Sequence, residues 1–94
     1  MDETADIKLA ARRIVWGKFL NSGQTCVAPD YILVQRSVKD KLIKQIGKCI
    51  RKMYGRDALA NEEYPKMINE KHFDRVLGLM EGAHIVSGGE SDRA

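Results

Sequence analysis

Phe19-Leu20-Asn21-Ser22-Gly23-Gln24-Thr25-Cys26-Val27-Ala28-Pro29-Asp30 joins a periodic apolar segment to a β-rich run, and its reading decides how the rest of the chain is arranged. Asn21, Ser22 and Gly23 end helices, because Gly and Asn tolerate the left-handed backbone that closes a last turn, and Pro29 keeps a helix from resuming. Cys26 is then held on a short connector between two rigid elements. A nucleophile needs such a place: its sulfur must project into a cleft while its own backbone N–H stays free to stabilise an oxyanion. The competing reading is that Cys26 is a small buried hydrophobe, as many cysteines are.

Working back from the connector, Ile7, Ala10, Ala11, Ile14, Val15 and Phe19 recur at intervals of three and four, which predicts an amphipathic helix from about Asp6 to Leu20. Thr4 or Asp6 suits its N-cap. Lys8, Arg12 and Arg13 fall mainly off the apolar stripe and read as a solvated face. Trp16 reads as core, or alternatively as a wall of a substrate funnel.

Working forward, Tyr31-Ile32-Leu33-Val34 is a short aromatic and β-branched run that predicts a strand buried on both faces. Ser37, with Asp40 in the capping-box position, opens a second helix with the stripe Leu42, Ile43, Ile46, Cys49, Ile50 and Met53, closed by Gly55. Lys41, Lys44, Lys48 and Lys52 line the opposite face. They read as a solvated row; the functional alternative is a phosphate-binding surface, which no aromatic interleaving supports. Asp57 to Pro65 is polar and loop-like. Asn69 then caps a third helix with Phe73, Val76, Leu77 and Met80 inward and Gly82 at its end, and His72 reads as a surface or capping residue. His84-Ile85-Val86-Ser87 reads as a second strand, stopped by Gly88-Gly89. Separated strands joined through helices predict parallel pairing, so the fold class is α/β with the order helix, strand, helix, helix, strand.

Ninety-four residues with 44% hydrophobic side chains suit one small domain with a thin core. A net charge of +3 spread over 31% charged residues of both signs reads as a soluble surface rather than a polyanion-binding one. The acidic start Met1-Asp2-Glu3 predicts no secretory signal, and no run of apolar residues is long enough to span a membrane. Cys26 and Cys49 fit a reducing cytoplasm better than a disulfide framework. Cys26, Cys49, His72 and His84 lack the spacing of a zinc site, so no metal is expected. No internal repeat or G-x-G-x-x-G turn is present.

Read as F-x-x-x-G-Q-x-C-V-A-x-D, with Phe19, Gly23, Gln24, Cys26, Val27, Ala28 and Asp30 in place, the opening stretch resembles the active-site cysteine signature of the NAD(P)-dependent aldehyde dehydrogenases. Ala11 to Phe19, Val27 to Val34 and Ile68 to Val76 resemble the class 3 branch of that family, so the likeness covers nearly the whole chain. The resemblance implies that Cys26 is the nucleophile, adding to an aldehyde to give a thiohemiacetal. Hydride transfer to NAD or NADP then gives a thioester that water hydrolyses to the carboxylic acid. Its backbone N–H would supply one oxyanion donor.

Other parts of the family pattern are missing. No stretch matches the L-E-L-G-G-K segment of the general-base glutamate, the oxyanion asparagine, the nucleotide-binding domain or the E-x-F-G-P segment. Glu3, Glu62, Glu63, Glu70, Glu81 and Glu90 therefore receive no catalytic role. Residues 1–94 are expected to be a single piece of an aldehyde dehydrogenase catalytic domain without a cofactor-binding domain, inactive alone, holding no cofactor, and self-associating. The alternatives are a non-catalytic self-associating α/β remnant and, less favoured, a small basic nucleic-acid-binding module.

Overall fold

A computed structural model describes residues 1–55, 58–61 and 64–92. Three α-helices carry it: α1 (Ile7–Phe19), α2 (Arg36–Tyr54) and α3 (Glu70–Leu79), with 3-10 turns at Leu20–Gly23 and Ala58–Ala60. Helix α1 starts at Asp6, whose Oδ1 accepts from the Leu9 N–H at 3.1 Å and satisfies one of the free amides of the first turn. Asp6 rather than Thr4 is thus the cap. Thr4 instead donates both its hydroxyl (2.6 Å) and its backbone N–H (3.0 Å) to Asp2 Oδ1, which holds the Asp2 carboxyl below its ordinary range.

The core lies where α1 crosses α2. Ala11 and Val15, one turn apart on α1, meet Val38 and Leu42, one turn apart on α2, and these four are the buried apolar residues among those described. Trp16 does not join them. It is 63% exposed, because it follows Val15 by one residue and so points about 100° away from the buried line. The expectation of a core tryptophan is corrected accordingly. Lys8, Arg12 and Arg13 are exposed, as are Lys41, Lys44, Lys48 and Lys52 on the outer face of α2.

Helix α2 begins at Arg36, one residue before the Ser37 start expected, and its N-cap is Gln35, whose side chain makes no capping bond. Pairing with the chain's first residues sets that boundary. The Met1 ammonium donates to the Leu33 carbonyl at 2.6 Å, the Gln35 N–H donates to the Met1 carbonyl at 2.7 Å, and the Glu3 N–H donates to Gln35 Oε1 at 3.1 Å. The first two bonds have the pattern of a parallel pairing one residue long. Gly55 closes α2 with a φ of 79°, a left-handed conformation that glycine adopts without strain. Asn69 caps α3, its Oδ1 accepting from the His72 N–H at 2.9 Å. That helix ends at Leu79, and Gly82 lies in the turn that follows.

Neither expected strand forms among the described residues. Tyr31–Val34 and His84–Ser87 carry no ladder, because a strand exists only by pairing, and the two segments do not pair with each other. The α/β order with parallel strands is therefore not seen among the described residues, which show the helices of that order alone. The second segment lies instead along α2, where Ile43, Ile46 and Ile50 with Met80, Ile85 and Val86 line an apolar groove of about 400 Å³. Of the loop expected from Asp57 to Pro65, Asp57, Glu62 and Glu63 lie outside the described residues.

Candidate active site: the Cys26 connector

After Phe19 the chain makes a sharp bend through three residues of positive φ, Asn21 (51°), Ser22 (55°) and Gly23 (80°). Only glycine enters this region freely, and each of the other two costs about 1–2 kcal/mol. Local hydrogen bonds offset that cost. The Gln24 N–H and Nε2 both donate to the Asn21 carbonyl at 3.0 Å, and Asn21 Nδ2 donates to the Gln24 carbonyl at 3.4 Å. Gly23 sits against α1, where an added Cβ would lie 3.1 Å from the Lys18 carbonyl oxygen.

Thr25 to Ala28 then form a tight turn closed by the Ala28 N–H on the Thr25 carbonyl at 3.3 Å, with Cys26 and Val27 at its centre. Cys26 is exposed and unbonded to Cys49, which is half-buried on α2. Among the described residues Cys26 is thus not packed into the core. No hydrogen bond engages the Cys26 N–H among the described residues, as expected for the second position of a turn. Pro29 returns the chain to α1: an added Cβ on Gly17 would stand 3.4 Å from Pro29 Cδ.

Beneath the connector, Phe19, Tyr54 and Tyr64 form an aromatic cluster with ring centroids 5.3 to 6.2 Å apart. The sequence reading placed Phe19 on the apolar stripe but gave Tyr54 and Tyr64 no role. An isolated aromatic in a polar loop was the signal for Tyr64. A second contact also escaped that reading. The Ser22 hydroxyl donates to the Pro65 carbonyl, Gln24 Nε2 donates to the Lys66 carbonyl at 3.1 Å, and the Ile68 N–H donates to Gln24 Oε1 at 2.9 Å. An open depression of about 440 Å³ adjoins these bonds, with His72 and Arg75 on its wall. Arg75 Nε donates to His72 Nδ1 at 3.2 Å, so His72 is a half-exposed surface residue with a side-chain partner.

The described residues contain no group of three metal-binding side chains, and no helix among them is long and apolar enough to cross a membrane. Among the described residues no glycine-rich strand-to-helix turn of the kind that cradles a pyrophosphate is present.

Solved structures contain this arrangement. A substrate-bound Staphylococcus aureus AldH superposes with a TM-score of 0.93 at 50% identity, over 97% of this chain and 20% of that one. The fold is thus the one that an aldehyde dehydrogenase structure has over its matching fifth. The family model for aldehyde dehydrogenases matches residues 1–94, and the chain belongs to the aldehyde dehydrogenase family. Among relatives, the dog (Canis lupus familiaris) "Aldehyde dehydrogenase, dimeric NADP-preferring" is 48% identical over 94 residues, all of this chain and 21% of its own length. The Staphylococcus aureus "4,4'-diaponeurosporen-aldehyde dehydrogenase" is 51% identical over 94 residues, 98% of this chain and 20% of its own. The likeness to class 3 members extends over the whole chain, which spans about a fifth of the length of these two relatives.

Proposed function

We propose that this chain carries the nucleophile of an enzyme that oxidises aldehydes to carboxylic acids, and that Cys26 is that nucleophile. The carrying observation is the connector: an exposed thiol at the centre of a tight turn, within a twelve-residue signature, between two anchored backbone segments. The thiolate adds to the aldehyde carbon, and a new C–S bond forms as the carbonyl π pair moves onto oxygen. The Cys26 N–H, uncommitted in the turn, is placed to donate to that oxygen. Oxidation of the adduct requires a hydride acceptor, NAD or NADP, which these residues do not hold. The 94 residues are inactive by themselves for that reason.

In the whole enzyme, Tyr31–Val34 and His84–Ser87 are parallel strands of the catalytic domain's sheet; the parallel bonding pattern of Met1 with Leu33 and Gln35 supports this for the first. Exposure of Tyr31 (78%) and Leu33 (77%) supports self-association, which the dog relative's name states of that protein. Two free thiols suit a reducing cytoplasm.

The test is a chimera. The matching fifth of the Staphylococcus aureus relative is replaced by these residues, and NAD(P)H formation is followed with aliphatic and aromatic aldehydes. Activity that disappears on Cys26→Ala is the expected result. Turnover that survives the substitution would remove Cys26 from the chemistry.

A further inference from the structure

The turn that presents Cys26 has few contacts of its own: Cys26 is exposed and Val27 is 87% exposed. Its position must therefore come from its two ends. On the downstream side Pro29 rests against Gly17 of α1, inside the rigid α1–α2 pair. On the upstream side the last residue before the turn with a long-range hydrogen bond is Gln24. Its carboxamide uses both N–H donors and its oxygen at once. Nε2 gives one hydrogen to the Asn21 carbonyl at 3.0 Å and the other to the Lys66 carbonyl at 3.1 Å, while Oε1 takes the Ile68 N–H at 2.9 Å.

We propose that Gln24 is the positioning residue of the Cys26 turn, its carboxamide clamping the connector to the Lys66–Ile68 backbone more than forty positions away. The inference rests on Cys26 being the nucleophile only for its consequence in catalysis; the clamp itself is independent of it. Only an amide satisfies all three groups. Methionine has the length but neither donor nor a strong acceptor. Glutamate keeps the acceptor for Ile68 but sets a carboxylate against the Asn21 and Lys66 carbonyl oxygens, and protonation restores one donor. Ser22 on Pro65 is a second strap, but it holds the chain two residues further from the Cys26 turn than Gln24 does.

Two further features follow from the clamp's location. Ile68 directly precedes Asn69, the cap of α3, so the same carboxamide ties the start of α3 to the connector. The wall of the adjoining depression, with His72 and Arg75, is held at a set distance from the Cys26 turn by this bond pair. A group bound between them would meet both from fixed directions.

The experiment is ¹⁵N NMR on the 94-residue chain, comparing wild type with Gln24→Met and Gln24→Glu. It reads amide exchange at Ile68 and backbone order at Cys26, with the core amides of Val15 and Leu42 as the reference for overall stability. In Gln24→Met, exchange at Ile68 is expected to speed up at least tenfold. The Cys26 order parameter should drop from the rigid range, about 0.85, to below about 0.6. Val15 and Leu42 should stay unchanged. In Gln24→Glu the same losses should appear at neutral pH and reverse as pH falls to about 4.5, where a glutamic acid begins to be protonated. Wild type should show no such pH dependence.

Cys26 order that is the same in wild type and both variants overturns the proposal. So does a Gln24→Glu chain whose Cys26 order ignores pH, and this second variant decides the matter if Gln24→Met loses protection at Val15 and Leu42 as well. Failure of Cys26 as nucleophile is a separate result, seen in the chimera as turnover that survives Cys26→Ala, and it would leave the NMR outcome standing.

Discussion

At the scale of single residues, the connector is governed by three consecutive left-handed positions, and Gly23 is the one where a side chain is excluded twice over. Its φ of 80° is strained for any L residue, and a Cβ there would approach the Lys18 carbonyl oxygen to 3.1 Å. Gly23→Ala is therefore expected to destabilise the chain by about 1–2 kcal/mol. In a domain of this size that lowers Tm by about 5 °C or more. A thermal melt by circular dichroism checks it, and an unchanged Tm would mean that the bend is not formed in solution. Asn21 and Ser22 occupy the same region because their neighbours repay the strain: Asn21 through its mutual bonds with Gln24, Ser22 through its hydroxyl on Pro65. The requirement for a glycine or asparagine was readable from residue type alone. Gln24 was visible only as a fixed position in a signature, since its partners at Lys66 and Ile68 are far away in sequence.

At the scale of elements, helix ends were legible where a local cap, a side chain or a glycine, sets them. Asp6, Asn69 and Gly55 stand where their chemistry puts them. Ser37 does not cap α2, because Gln35 is drawn into extended pairing with Met1 and Glu3 and the helix begins directly after it. This contrast yields a prediction. Asn69→Ala removes the acceptor for the His72 N–H and should cost about 1 kcal/mol, whereas Ser37→Ala should stay within about 0.5 kcal/mol. Urea unfolding of the two variants side by side measures the difference, and equal midpoints would refute the assignment of the caps. The strand segments Tyr31–Val34 and His84–Ser87 mark the other limit. Their composition suits a buried sheet, but no ladder forms at either among the described residues.

For the whole molecule, the described residues span 41 × 27 × 24 Å, with only Ala11, Val15, Val38 and Leu42 as buried apolar side chains. Large apolar groups remain outside: Leu33 at 77%, Val27 at 87% and Ile68 at 80% exposure. A core this small is marginal, and unpaired extended backbone beside exposed apolar side chains offers both hydrogen-bonding and hydrophobic partners to another copy. The chain is therefore expected to self-associate, with a symmetric dimer as the simplest closed form. Sedimentation velocity across a dilution series tests this. A folded monomer at low micromolar concentration would show that the four-residue core suffices alone.

Local chemistry carried what the sequence determined by itself: the three helices, two of their N-caps, the glycine that closes α2, the bend at Asn21–Gly23, and the short connector that follows it. Each depends on residues within a few positions of one another, so periodicity and capping suffice to read them. Tertiary structure alone decided which part of each apolar stripe is buried, turning Trp16 outward while Val15 went in. It also decided that Tyr54 and Tyr64 gather on Phe19, and that Gln24 reaches Lys66 and Ile68. It left both β-rich segments without a ladder among the described residues, the first holding only its one-residue pairing with Met1, because pairing, unlike helix formation, depends on a neighbour that no local sequence supplies.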